Sequence, residues 1–181
     1  MSIKNALLNT MLHELTICQH LHTKLKAEDA NWRPSENMRT TVELMGYLSY
    51  IGQSTVAHFV ENPEDRSLYL PKAYALTEQV KETVTFTNFS EALEEEKESI
   101  KKSFENWTDE DVLTKMTYYP WSGQDCSLFS GLNTTLQFLT AYRHQLFLYA
   151  KMRGATIGTR NNWGGVDAPA AVKEAVEEVE A

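Results

Sequence analysis

Apolar residues that return every three or four positions through most of the chain restrict it to a helical solution. From Ile3 to about Lys26 the residues Leu8, Met11, Leu15, Cys18 and Leu25 keep that spacing, and Leu7, Leu12 and Leu21 widen the stripe. Such a period cannot alternate faces as a strand must, so the segment reads as a helix of about six turns with one side towards a core. The stretch from Asp29 to Ser35 breaks it, because Pro34 cannot continue a helix and biases Arg33 towards extended geometry. Trp32 is expected to fold back onto the helices. A second helix starts near Thr40, where Thr40-Thr41-Val42-Glu43 reads as a capping box, and Leu44, Leu48, Ile51, Thr55 and Phe59 form its inward stripe until Pro63 ends it.

Residues Glu64 to Val84 show no sustained period and read as a long, partly ordered connection crossing the bundle. Asn88-Phe89-Ser90-Glu91 caps a third helix, with Phe89, Leu93, Ile100 and Phe104 inward and the run Glu94-Glu95-Glu96-Lys97-Glu98 facing water. Thr108 to Asp111 reads as a capped turn, and Met116 to Gly123 as a loop or short hairpin. The last long helix runs from about Leu132 to Arg153 and stops at Gly154, with Lys151 and Arg153 in its final turn. Asn161 to Gly165 reads as loop, and the acidic stretch from Ala168 to Ala181 as a weak helix or a disordered tail. The expected fold is all-α: an antiparallel four-helix bundle with a long crossover between its second and third helices. Residues 1–160 form the bundle, and 161–181 a loop and tail.

Composition bounds what such a bundle does. With 181 residues, 42% hydrophobic and 23% charged, the chain suits one domain around a single core. Its net charge of −8 repels phosphate backbones, so nucleic acid is not an expected partner. Cys18 and Cys126 have no CxxC spacing, which argues against a zinc ribbon, a redox pair or a disulfide framework. No signal-peptide pattern opens the sequence, and no stretch approaches the ~20 apolar residues of a membrane span. A cytoplasmic protein with reduced thiols and no membrane partner is the expectation.

The order of signals, Trp32-Arg33-Pro34 after the first helix, then Glu43-Leu44 and Leu48, then Arg143, Gln145 and Leu146 before Tyr149 and Gly154, resembles the DinB-like superfamily from about Leu7 to Gly154. The resemblance implies a divalent metal held by three histidines in the patterns E-L-x-x-H-L and H-x-x-x-H-R-x-Q-L, and activities that include thiol-dependent transferases and isomerases. Carried over position by position, those histidines fall on Tyr47, Phe138 and Tyr142. A phenyl ring has no donor, and a phenol with an ordinary pKa near 10 is a poor ligand until it ionises. The expectation is therefore a superfamily member without the metal site. The family's Gly between the Arg and the Gln is replaced by His144.

His13, His20, His22, His58 and His144 do not form a helical i,i+4 pair or an HExxH motif, so no relocated metal site is indicated. His58 is the nearest candidate, yet it lies eleven residues from Tyr47, ~16 Å along a helix axis and too far to share an ion. His22 reads as a semi-buried, hydrogen-bonded imidazole. Arg143 stands on an apolar stripe with Leu136, Leu139, Leu146 and Ala150, where a guanidinium needs a carboxylate. Glu14 is the first candidate partner and Glu43 the second, giving a structural ion pair that fixes helix register.

Two readings of Tyr47, Phe138 and Tyr142 stand side by side: packing that fills a vacated metal pocket, or walls of a small-molecule cleft joined by Trp32 and Tyr50. The functional expectation is correspondingly a metal-free protein of unassigned activity, without a cofactor, that binds a small organic ligand in the bundle cleft or acts as a non-catalytic homodimer. The alternative is a metal-dependent hydrolase or thiol transferase using zinc or nickel. No nucleophile with an adjacent base is readable, so catalytic residues stay unassigned. Cys18 lies on an apolar stripe, and Cys126 sits beside Asp125.

Overall fold

A computed structural model describes residues 2–67 and 69–169. Four long elements carry the core: α1 (Ile3–His22), a broken second helix made of α2 (Thr41–Leu48) and α3 (Ile51–Glu61), α5 (Phe89–Phe104) and α7 (Leu128–Met152). α1 and α3 each pack against both α5 and α7, which closes a four-helix bundle. Gly131 lies against the Phe59 ring, while Thr135 Oγ1 donates to Thr55 Oγ1, so α3 and α7 run antiparallel. Lys4 Nζ donates to Phe104 O and Gln19 Nε2 to Ser90 O, so α1 and α5 do too. Met11, Leu15, Leu21, Leu44, Leu48, Leu93, Ile100, Leu132, Leu139 and Leu146 are fully buried between them. The all-α expectation holds, with one addition. The Met116 to Gly123 stretch opens a two-stranded hairpin, β1 (Met116–Tyr118) and β2 (Asp125–Ser127), that follows α6 (Asp109–Thr114).

Several boundaries differ from the sequence expectation. α1 ends at His22, one turn before Lys26. The crossover is largely helical, as α4 (Tyr69–Thr83), and packs on α2. Tyr69, Ala73, Leu76, Thr77 and Val80 are its half-buried face, a stripe too small and polar to register as apolar periodicity. Pro71 falls within its first turn, where a missing N–H is tolerated. Asn161 to Gly164, expected as loop, lies in α8 (Thr159–Gly164), which packs against α1 and buries Asn161 and Asn162. The expected tail falls mostly at 170–181, outside the described residues. No helix among the described residues is long and apolar enough to cross a membrane.

The second helix is not continuous, and the acidic run on α5 explains why. Ser49 closes α2 by donating its hydroxyl to Gly46 O at 2.8 Å, and Tyr50, with φ −138°, leaves the helical region. α3 then begins with Gly52 N and Gln53 N donating to Oε1 of Glu96 at 2.8 and 3.2 Å. Glu96 therefore satisfies first-turn donors that a helix start leaves orphaned. This corrects the reading of residues 94–98 as a solvated face, since Glu96 is 0% exposed and Lys97 is buried. Lys97 Nζ donates to Gln19 Oε1 at 2.5 Å and to Glu94 Oε1 at 3.0 Å.

Candidate functional site

Between α2, α4 and the irregular segment from Arg33 to Arg39 lies a cleft of about 530 Å³, within the size range of small-molecule sites. Its apolar walls come from Val42 and Gly46 on α2 and from Val80 and Val84 at the end of α4, with Tyr47 and Tyr50 at its inner side. α2 is aimed into this place by its N-terminal cap. Thr40 Oγ1 accepts from Glu43 N at 3.2 Å, and Glu43 Oε2 accepts from Thr40 N at 2.7 Å. That hydrogen bond, given by the backbone, holds the Glu43 carboxyl below its usual range and keeps it ionised, 3.9 Å from Arg33. Glu43 is thus committed to the cap and does not reach Arg143.

Arg39 stands over the mouth. Its Cζ lies 4.2 Å from the centroid of the Tyr47 ring and 5.6 Å from that of Tyr142, within cation–π range of both. Among the described residues no carboxylate pairs with it. The Arg39 carbonyl accepts from Tyr149 Oη at 2.8 Å, and Tyr149 Oη accepts from Gln145 Nε2 at 2.9 Å. Gln145 and Tyr149, two of the residues that carry the family resemblance, thereby tie the cleft's rim to α7. At the opposite side Tyr50 Oη and Thr77 Oγ1 share a hydrogen bond of 2.7 Å between α2/α3 and α4.

The structure brings only part of the expected aromatic set to the cleft. Tyr47 touches Tyr142 with ring centroids 4.6 Å apart, and Tyr50 at 5.3 Å, but of these three only Tyr47 and Tyr50 line the open space. Tyr142 lies behind Tyr47 as packing. Phe138 instead meets Trp121 edge to face at 5.5 Å, and Trp32 meets Tyr149 at 5.4 Å. Arg39, Val80 and Thr77 were missed because no local pattern connects an arginine in an irregular segment with a helix face forty residues later.

The three positions of the expected metal do not fit a divalent ion. Phe138 has no donor atom. Burial first, and Tyr142 beside it second, push the Tyr47 phenol far above its ordinary value of 10, so it stays neutral and weakly donating. Among the described residues no three His, Cys, Asp or Glu side chains converge on one point. His58 is buried, with Nε2 3.3 Å from Tyr118 O, and burial lowers its pKa. His22 Nδ1 lies 3.1 Å from Ser90 Oγ between Phe86 and Phe89, and burial lowers its pKa too. His144 is exposed and stacks on Phe147. Cys18 is fully enclosed, and burial raises its thiol well above the usual range, so it is no nucleophile at neutral pH.

Away from the cleft, Arg143 and Glu14 face each other inside the bundle. Arg143 is 0% exposed, Glu14 is 6% exposed, and Nε donates to Oε2 at 2.7 Å.

No protein-family model and no curated protein matches the sequence. Among solved structures, the crystal structure of a DinB-like protein, YjoA, from Bacillus subtilis superposes with a TM-score of 0.63 at 15% identity, covering 85% of this chain and 96% of that one. The chain has the fold of a DinB-like protein.

Proposed function

We propose that this chain is a DinB-like bundle that binds a small organic molecule in the cleft between α2 and α4 without a metal ion. The cleft carries the reading: about 530 Å³ of concave space, apolar on Val42, Val80 and Val84, with a few convergent polar groups at Arg39, Tyr50 and Thr77. The chemistry at Tyr47, Phe138 and Tyr142 supports the metal-free part, since neither a neutral phenol nor a phenyl ring replaces an imidazole as a donor. Both thiols are buried, and the hydroxyl and imidazole of Ser90 and His22 meet between Phe86 and Phe89, away from the cleft, which favours binding over group transfer there.

Protein-observed NMR with a collection of small aromatic and aliphatic molecules tests this. Binders are expected to shift the amides of Tyr47, Tyr50, Thr77 and Val80 together, and Val80→Trp, which fills the cleft from α4, is expected to abolish those shifts while the fold is retained. Binders that shift only other surfaces, or that ignore Val80→Trp, would refute the cleft as the site.

A further inference from the structure

Resting on that reading of the cleft, we propose that its ligand carries a single carboxylate on an apolar body, with the carboxylate received by Arg39. The cations at the cleft differ in how they are committed. Lys81 Nζ donates to Glu78 Oε1 at 2.6 Å, and Arg33 Nη2 lies 3.9 Å from Glu43 Oε2. Arg39 alone of the three has no carboxylate partner and makes no side-chain hydrogen bond among the described residues, with its Cζ over the Tyr47 ring. A planar fork of donors matches the two oxygens of a carboxylate. Its carbonyl is fastened to Tyr149, so the backbone that carries this fork is already placed before a ligand arrives.

Charge around the site limits the ligand to one negative charge. Glu36 and Glu43 also line the cleft, and the whole chain carries −8. A dianion such as a phosphate monoester meets both carboxylates with only one unpaired cation to offset them. The remainder of the ligand is largely apolar, because Met38, Val42, Val80, Val84 and the Tyr47 and Tyr50 rings also line the cleft. The Tyr50 and Thr77 hydroxyls offer it a neutral polar contact at the far side.

The test uses matched pairs in NMR titrations at neutral pH: 4-methylbenzoate against 4-methylbenzamide, and hexanoate against hexanamide, each with the intact chain and with Arg39→Met. Arg39 is exposed, so this variant keeps the fold. Each acid is expected to bind about five-fold more tightly than its amide, the scale of one exposed ion pair, and Arg39→Met is expected to erase that preference while leaving amide binding in place. Equal affinity of acid and amide, or a preference that survives Arg39→Met, overturns the carboxylate assignment while the cleft reading stands. Failure of every acid and amide to perturb the cleft residues overturns both.

Discussion

Arg143 Nε donates to Glu14 Oε2 across 2.7 Å, joining α7 to α1 inside the core. The same guanidinium gives Nη1 to Asn162 O at 2.6 Å and lies 4.9 Å from the centroid of the Trp163 ring, so α8 closes over it. Among the described residues its Nη2 has no hydrogen-bond partner, which makes the carboxylate the main compensation for burying the charge. Glu14→Gln leaves that cation without a counter-charge and is expected to destabilise the fold by about 3 kcal/mol. Urea unfolding reads it directly, and an unchanged midpoint would reject the pair as a source of stability.

Glu96 predicts an unusual dependence on pH. Burial pushes its carboxyl from 4.5 up to about 8, against the lowering effect of the Gln53 and Gly52 N–H donors. The folded state therefore holds this proton more tightly than the unfolded chain. Stability from this group is full below about pH 4.5, falls as the pH rises, and levels off above about 8. His22 and His58, lowered by burial, act in the opposite sense below 6.5, so the difference between the natural chain and Glu96→Gln isolates the carboxyl. Gln keeps the accepting oxygen without titrating. Its advantage is expected to grow by a few kcal/mol between about pH 5 and pH 8, and a constant difference would contradict the buried proton.

The close approach of α5 to α3 depends on a missing side chain. A Cβ at Gly52 falls 2.7 Å from Glu96 Oε1, 3.0 Å from Ile100 Cδ1 and 3.3 Å from Leu139 Cδ2. The oxygen is fixed by its two backbone donors and cannot retreat cheaply. Gly52→Ala is expected to cost about 1–3 kcal/mol as overpacking. At Gly46 the nearest contact is an ordinary 3.6 Å to Val80 Cγ2, so Gly46→Ala is expected to be neutral or stabilising by up to about 1 kcal/mol. Thermal melts of the two variants that move in the same direction would refute this contrast.

Tyr149 links α7 to the rim of the cleft through one hydroxyl. Tyr149→Phe removes the donor to the Arg39 carbonyl and is expected to cost about 1 kcal/mol in stability. NMR relaxation is expected to show residues 36–39 becoming more mobile while α2 stays fixed by its own cap. Unchanged dynamics at Arg39 would show that the segment is held by other contacts.

Much of the bundle was legible because its signals are local. The Thr40 and Glu43 box, the stop at Gly154 and the apolar stripes of α1, α5 and α7 depend on residues within a few turns of each other. Glu96 was misread because residue type outweighed position. Phe89, Leu93, Glu96, Lys97, Ile100 and Phe104 keep one helical stripe, and the surrounding acids suggested water. α4 was hidden for the converse reason, since a helix resting shallowly on α2 needs only Ala73, Thr77 and Val80 inward.

The candidate site was legible in part. Tyr47 reaches the cleft because it sits on the helix whose register the cap reveals, and Tyr50 enters from the break that follows it. Phe138, Tyr142 and Trp32 are turned to other partners, and this depends on how α7 rotates against its neighbours, which its own periodicity does not determine. The register of Arg143 was different. A lone guanidinium on an apolar stripe requires a carboxylate wherever it lands, so burial chemistry pointed to Glu14 first and Glu43 second, and the structure pairs it with Glu14.

Metal content of the purified chain, before and after incubation with zinc or nickel and dialysis, tests most directly the claim that the protein binds its ligand without a metal, with Tyr47, Phe138 and Tyr142 standing where nitrogen donors would be required. The account predicts substoichiometric metal throughout, with melting temperature and the NMR signals of Tyr47 and Tyr142 unchanged. About one retained equivalent per chain, removable by a chelator with a fall in melting temperature and shifts at those tyrosines, would contradict it.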